Sequence, residues 1–186
     1  MALGLILLLV IVALGAMVVG TYNRLVGLRQ RANQAFADID VQLQQRHDLI
    51  PNLVETVKGY ASHERETFDE LARLRSSGQA QADVGQRAQT ETAITAAIGK
   101  VMAVAEAYPE LKASTNFQQL QKDLADTEDQ IQLARRYYNG AVRDFNVMIE
   151  QFPSNLIANI GAFKPAPFFQ IEKEADRAAP KVTFAG

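Results

Sequence analysis

The chain contains no cysteine and only two histidines among its 186 residues. The absence of cysteine excludes disulfides, thiol nucleophiles, thiolate metal sites and lipid attachment through cysteine. On one helix His47 and His63 would lie about 24 Å apart, too far to share a metal ion without help from another chain, and each is expected at the surface or the rim of the bundle. The sequence has no HExxH motif, glycine-rich phosphate loop or nucleophile elbow. We therefore predict no catalytic site, no cofactor and no metal, and a protein that is not an enzyme.

A strong charge of one sign is also missing. The formal net charge is −2 with both signs interspersed, which argues against a nucleic-acid-binding face.

The opening stretch MALGLILLLVIVALGAMVVG carries no charged side chain, and a helix of about twenty residues spans the roughly 30 Å hydrocarbon core of a bilayer. We predict a transmembrane helix over residues 1–21, which makes the lipid bilayer a partner. A cleaved signal peptide is the alternative, but it would have basic residues before a shorter apolar stretch.

The flanking charges predict the orientation of this helix. No basic residue precedes it, whereas Arg24, Arg29 and Arg31 follow it closely. Because basic residues favour the cytoplasmic side, we expect a short N-terminus outside and the remaining chain in the cytoplasm.

Apolar residues then recur every seven positions, which predicts long helices packed along one face. A first helix is predicted from about Tyr22 to Arg75, continuing the anchor as a stalk. One row of this helix consists of Phe36, Leu43, Ile50 and Val57. Arg46 occupies the neighbouring row, between Ile39 and Leu53. The polar stretch SSGQAQADVGQ predicts the turn that follows.

Two further long helices are indicated. The spacing of Ile94, Ile98 and Val101 predicts a second helix over residues 88–107, stopped by Pro109. The third is predicted over residues 116–152, with Asn116 as its N-cap. Its heptad row contains Phe117, Leu124, Ile131, Tyr138, Phe145 and Phe152.

The C-terminal part is less periodic. PSNLIANIGAF predicts a short helix, and residues 163–186 predict an irregular tail. We expect Phe163, Phe168 and Phe169 of this tail to dock on the bundle rather than enter a membrane surface.

Strand-like alternation is absent from the sequence, so the predicted fold is all-α. It consists of the N-terminal transmembrane helix and an up-and-down antiparallel bundle of long, coiled-coil-like helices over residues 22–162. Heptads of this length also allow helices to pair between chains, which favours a homo-oligomer.

The stretch RHDLIP places unusual residues in the first helix. Pro51 has no N–H for the carbonyl of His47, and the apolar rows keep their phase across it, which predicts a kink within one helix. The alternative is a second helix capped by Asp48. Arg46 lies on the packing row and requires an acidic partner if it is buried. Asp123, Glu128 and Asp129 are candidates, and Glu128 lies nearest the packing row of the third helix. The expected structural site is a kink with a buried ion pair, formed by Arg46, Pro51 and Glu128.

A possible interface follows on the third helix. Arg135, Arg136 and Tyr137 fall off the heptad row that contains Tyr138. Arginine and aromatic residues favour interfaces, so these three residues are predicted to form an exposed contact patch.

Long segments of the chain resemble the LemA family of bacterial membrane proteins. These segments are YNRLVGLRQRANQAFADIDVQLQQRHDLIPNLVETVKGYASHE, AEAYPELKAS, FQQLQKDLADTEDQIQLARRYYNGAVRDFNVMIEQFPSNLIA and APKVTF. The resemblance extends from Tyr22 to Phe184. It implies a bacterial cell membrane location, one N-terminal membrane helix with a short outside N-terminus and a helical bundle inside, but it implies no activity.

Two function classes remain open. The first is a membrane-anchored scaffold that self-associates through its heptad faces and organises other membrane proteins. The second is a ligand-binding or enzymatic bundle with a polar pocket around Arg46, His47 and Glu128. The sequence favours the scaffold, because no catalytic constellation can be assembled at compatible spacing.

Overall fold

The computed structural model describes residues 2–170, and predictions for residues 171–186 lie outside this range. Residues 2–170 form six α-helices and no β-strand, which confirms the predicted all-α class. The helices are α1 (Ala2–Lys58), α2 (Arg65–Ala80), α3 (Val84–Glu106), α4 (Pro109–Lys112), α5 (Thr115–Glu150) and α6 (Ser154–Ile160).

Helix α1 joins two physically different segments without a break. Residues 2–20 of this helix are exposed throughout, including their apolar side chains, as Leu8 and Val12 illustrate at 58% and 60% exposure. This segment is long and apolar enough to cross a membrane. From Leu25 to Val57 the same helix buries one face in the bundle.

The long helices alternate in direction, as ion pairs and other side-chain contacts demonstrate. Residues early in α1 meet residues late in α5, and Arg46 meets Glu128, so these two helices are antiparallel. Lys100 of α3 pairs with Glu70 of α2, while Gly78 lies against Glu91, so α2 and α3 also run antiparallel. The result is an up-and-down bundle in which α1 contacts all three other long helices.

The prediction of one helix from Tyr22 to Arg75 is wrong. Helix α1 ends at Lys58, where Gly59 has low helix propensity and the following turn bonds Ala61 N–H to the Val57 carbonyl. The polar stretch predicted as a turn contains the connection between the two helices at residues 81–83, but its first five residues belong to α2 and α3 already starts at Val84, earlier than predicted. Asp83 caps α3 by accepting a hydrogen bond from Gln86 N–H at 2.9 Å.

The third long helix also differs at its ends from the prediction. Helix α5 starts at Thr115, with Ser114 rather than Asn116 at the N-cap position. Phe152 lies beyond its last residue and is 74% exposed, so it does not continue the buried heptad row. The predicted short helix is α6, whose buried residues pack near Leu25 and Phe145.

Residues 163–170 have no regular secondary structure but lie along α1 and α5. Phe163 and Phe169 are buried and Phe168 is partly buried, consistent with the docking expected for these three side chains. Two asparagines of α5 hold the backbone of this segment. Asn146 accepts from Ala166 N–H at 2.8 Å, and Asn139 accepts from Phe169 N–H at 2.8 Å.

Candidate functional site: a buried polar layer

Arg46 is the centre of a polar cluster inside the bundle. Only 2% of it is exposed, because it projects from the face of α1 that packs against α3 and α5. Its Nη1 donates to Glu128 Oε2 at 2.6 Å and to Thr95 Oγ1 at 2.7 Å. Its Nη2 donates to Glu91 Oε2 at 2.5 Å and to the Glu91 carbonyl at 3.2 Å. The planar guanidinium therefore binds both neighbouring helices at once.

Glu91 is the buried acid of the cluster, with 4% exposure. In addition to the bonds from Arg46, its Oε1 lies 3.0 Å from His47 Nε2. Burial raises the pKa of Glu91, but the hydrogen bond from His47 and the positive charge of Arg46 outweigh burial, so the net pKa is lowered. These partners keep Glu91 ionised in the interior, where a carboxylate without a partner would be unfavourable.

The cluster forms a layer that separates two hydrophobic clusters. On α1, Leu43 belongs to the cluster on one side of Arg46 and Ile50 to the cluster on the other. On α3 the same two clusters lie on either side of Glu91, and on α5 they lie on either side of Glu128. A polar layer at one height across three helices fixes their register, because sliding any helix would leave a charge unpaired.

Helix α1 continues through Pro51, and the carbonyl that this proline leaves free has a partner. Arg75 of α2 donates its Nε to the His47 carbonyl at 2.7 Å. The proline removes the intrahelical donor, and a charged donor from the next helix replaces it. Asp48 lies within the helix, so the alternative with Asp48 as the cap of a second helix is wrong.

Gly78 allows α2 to approach this cluster closely. A Cβ atom at this position would lie 3.0 Å from Glu91 Oε1 and 3.1 Å from His47 Cε1. The close approach of α2 covers His47, which is 1% exposed, so the prediction of a surface position for His47 is wrong. His63, in contrast, is exposed in the turn between α1 and α2.

Sequence reasoning paired Arg46 with Glu128 but missed Glu91 and Arg75. The structure brings Arg46 and Glu128 together, whereas Asp123 and Asp129 make no bond to Arg46. Glu91 could have been found: it lies three residues before Ile94 on the apolar row of the second predicted helix, where an acid is as unexpected as Arg46 is in the first helix. Arg75 left no comparable signal, because the predicted single helix placed it far from Pro51.

The polar layer has almost no free space. The cavity bounded by Arg46, Glu91 and Glu128 measures about 10 Å³, which is about the volume of one water-sized sphere. A mostly apolar cleft of about 260 Å³, lined in part by Ile98 and Met102, lies between α3 and α5 beside it. Among residues 2–170, no group of three His, Asp or Glu side chains could hold a metal ion. The arrangement is suited to holding helices in register.

The three predicted interface residues do not share one environment. Tyr137 is 57% exposed, and Arg136 is exposed beside it. Arg135 is partly buried, with its guanidinium 5.5 Å from the centre of the Phe169 ring, and it helps hold the docked C-terminal segment. Of these three residues, only Arg136 and Tyr137 lie on the exposed surface of α5.

Comparison with known proteins identifies relatives by sequence. Magnetosome protein MamQ 2 of Paramagnetospirillum magneticum is 26% identical over 94% of this chain and 74% of its own length. Magnetosome protein MamQ of Magnetospirillum gryphiswaldense is 23% identical over 83% of this chain and 66% of its own. Protein LemA of Metamycoplasma hominis is 26% identical over 75% of this chain and 64% of its own. The LemA family model matches residues 35–184. The chain is therefore a member of the LemA family, a membrane-associated helical protein.

Proposed function

We propose that this protein is a membrane-anchored helical scaffold that self-associates through the outer face of α5. The observation that carries the proposal is an exposed apolar stripe on that helix. Leu133, Tyr137 and Val147 are 50%, 57% and 52% exposed, and their spacing with Gly140 places all four on one face, which also carries the exposed Asp144 between Gly140 and Val147. We call these four residues the α5 stripe.

A second copy of the chain is the partner that we propose for this stripe. No atom lies within 4 Å of the position that a Cβ at Gly140 would occupy, so a neighbouring helix could approach the backbone there. Tyr137 and the adjacent Arg136 are residue types enriched at interfaces. Copies anchored in one bilayer share an orientation, and a stripe parallel to the anchor can pair with itself about a two-fold axis.

The anchor in this proposal is the first segment of α1, which crosses the bacterial cell membrane once. The arginines at positions 24, 29 and 31 favour a short N-terminus outside and a cytoplasmic bundle. Because α1 continues into the bundle as one helix, the membrane and the α5 stripe would be rigidly connected. We propose that copies held in this way organise other membrane proteins.

We further propose that the protein is not an enzyme. The buried carboxylate of Glu91 is occupied by Arg46 and His47, and the cavity beside it is close to the volume of one water-sized sphere. The larger, mostly apolar cleft of about 260 Å³ borders Arg46 and Glu128 but not His47, so it is not the polar pocket that the alternative function requires. Some relatives are named magnetosome proteins and another is named LemA.

The test is the absolute mass of the full-length protein in mild detergent, measured by light scattering. We expect the wild-type chain to form a discrete assembly, and the double variant Leu133→Glu with Tyr137→Glu to be monomeric. Val41→Glu is the matched control, because Val41 is 63% exposed on α1 and outside the stripe. A monomeric wild-type chain, or equal masses for both variants, would contradict self-association through α5.

A further inference from the structure

One face of helix α6 is buried in the bundle and the other is exposed. Ile157 and Ala158 are buried with Leu25 and Phe145 in the cluster at the end of the bundle nearest the apolar segment. The free side of α6 and its preceding turn is apolar as well. Phe152, Leu156 and Ile160 recur every four residues and are 74%, 55% and 87% exposed. We call these three residues the α6 face.

The α6 face lies at the level where the apolar segment of α1 ends. The ring of Phe163, which follows α6, is 5.5 Å from the ring of Tyr22 in an edge-on contact. A Cβ atom at Gly161 would lie 3.2 Å from Tyr22 Cε2. Tyr22 directly follows the predicted span, a position that aromatic residues favour at the membrane–water boundary. The C-terminal end of α6 is therefore adjacent to that boundary.

The turn after α6 fixes this position. Ala162 adopts a φ of 52°, and Phe163 N–H donates to the Ala158 carbonyl at 2.9 Å, which closes the helix and returns the chain to α1. Phe163 is then held between Tyr22, Phe145 and the guanidinium of Arg29. The α6 face is thus preformed by the fold.

The same end of the bundle is rich in exposed basic side chains. Arg24, Arg31 and Arg143 line a groove between α1 and α5 that also contains Asp144. Arg29 is exposed on another side of α1, over Phe163. Basic side chains close to a bilayer are attracted to its anionic headgroups.

We propose that the α6 face is a second membrane contact, inserted at the boundary between headgroups and acyl chains of the bilayer that anchors α1. This inference rests on the proposed membrane anchor. A lipid surface is favoured over a second copy of the chain because the face adjoins the predicted span and exposed arginines lie at the same end of the bundle. An amphipathic helix buries its apolar face about 5–10 Å into such a boundary. The contact would hold the bundle at a fixed tilt to the membrane.

The experiment uses three single-cysteine variants of the full-length chain, which contains no native cysteine. Leu156→Cys, Leu8→Cys and Val41→Cys are spin-labelled and reconstituted in nanodiscs of phosphatidylcholine and phosphatidylglycerol. Leu8 reports on the anchor, and exposed Val41 reports on water-facing bundle surface. Collision rates with oxygen, which concentrates in lipid, and with a water-soluble nickel chelate are measured by electron paramagnetic resonance.

We expect the oxygen-to-nickel collision ratio at position 156 to exceed the ratio at position 41 severalfold and to approach that at position 8. Equal ratios at positions 156 and 41, with a high ratio at position 8, would overturn the second contact and leave the anchor intact. A low ratio at position 8 would overturn the anchor and the inference with it. Dipolar broadening at position 156 that disappears on dilution with unlabelled protein would identify a second copy on the face and also overturn the inference.

Discussion

Replacing Arg46 with alanine would leave Glu91 buried without its guanidinium partner. Glu91 is 4% exposed, so water cannot replace the lost hydrogen bonds. Removing one member of a buried ion pair costs about 3–5 kcal/mol, because the remaining charge is uncompensated. For a protein of this length we expect a decrease in Tm of roughly 6–20 °C.

Glu128 provides the internal comparison. It bonds the same guanidinium at 2.6 Å, but 30% of its side chain is exposed. Water can therefore hydrate the groups that lose their partner when this bond is removed. Glu128→Gln should therefore cost only about 1 kcal/mol. The measurement is thermal unfolding of the full-length variants in mild detergent, followed by far-UV circular dichroism.

A combined variant separates charge compensation from packing. Arg46→Leu with Glu91→Leu removes both buried charges and keeps apolar volume at both positions. Replacement of a whole buried pair is often close to neutral, so we expect the double variant to be more stable than Arg46→Ala. If Arg46→Ala and Glu128→Gln lower the Tm equally, or if the double variant is the least stable of the three, the reasoning from buried charge is refuted.

Three further predictions concern the residues around Arg46. Arg75→Ala should cost about 1.5–3 kcal/mol in the wild-type chain and less in a Pro51→Ala background, where the new N–H can bond the His47 carbonyl; a double-mutant cycle of unfolding free energies measures the coupling, and additive costs would contradict it. Because folding lowers the pKa of Glu91, its contribution to stability is present above the usual value of 4.5 and is lost as the pH falls below it. Glu91→Gln should therefore show a flatter acid dependence of the Tm than wild type, and an unchanged slope would count against this role. Gly78→Ala should destabilise by about 1 kcal/mol despite better helix propensity, because its Cβ would crowd the fixed side chains of Glu91 and His47; a raised Tm would show that they can move.

Sequence periodicity was sufficient to predict the helical class and much of the buried face. Leu43, Ile50 and Leu53 were assigned to packing rows, and each is at most 1% exposed. The error in the first helix had a local cause. The apolar rows end at Val57 and Tyr60, because the next heptad positions hold Glu64 and Thr67, so the sequence did carry a sign that the first helix stops there.

The polar layer was only partly predictable. Arg46 was recognised because a charge on an apolar row is anomalous, and the same rule applied to the second helix would have identified Glu91. The burial of His47 could not be read from α1, because it depends on Gly78 of another helix. The partner of the His47 carbonyl likewise depends on the angle at which α2 crosses, which is a tertiary property.

The dimensions of the α5 stripe predict that self-association depends on the membrane. From Leu133 to Val147 the stripe is about 21 Å long, and a helix about 10 Å wide offers roughly 200 Å² over that length. Stable interfaces bury about 800 Å² per partner, so the stripe alone is too small. Anchoring copies in one membrane or micelle raises their effective concentration towards the millimolar range. We therefore expect a chain lacking residues 1–21 to be monomeric at micromolar concentration while the full-length chain assembles. An assembly of the same stoichiometry without the anchor would require a larger interface than the α5 stripe and would refute this argument.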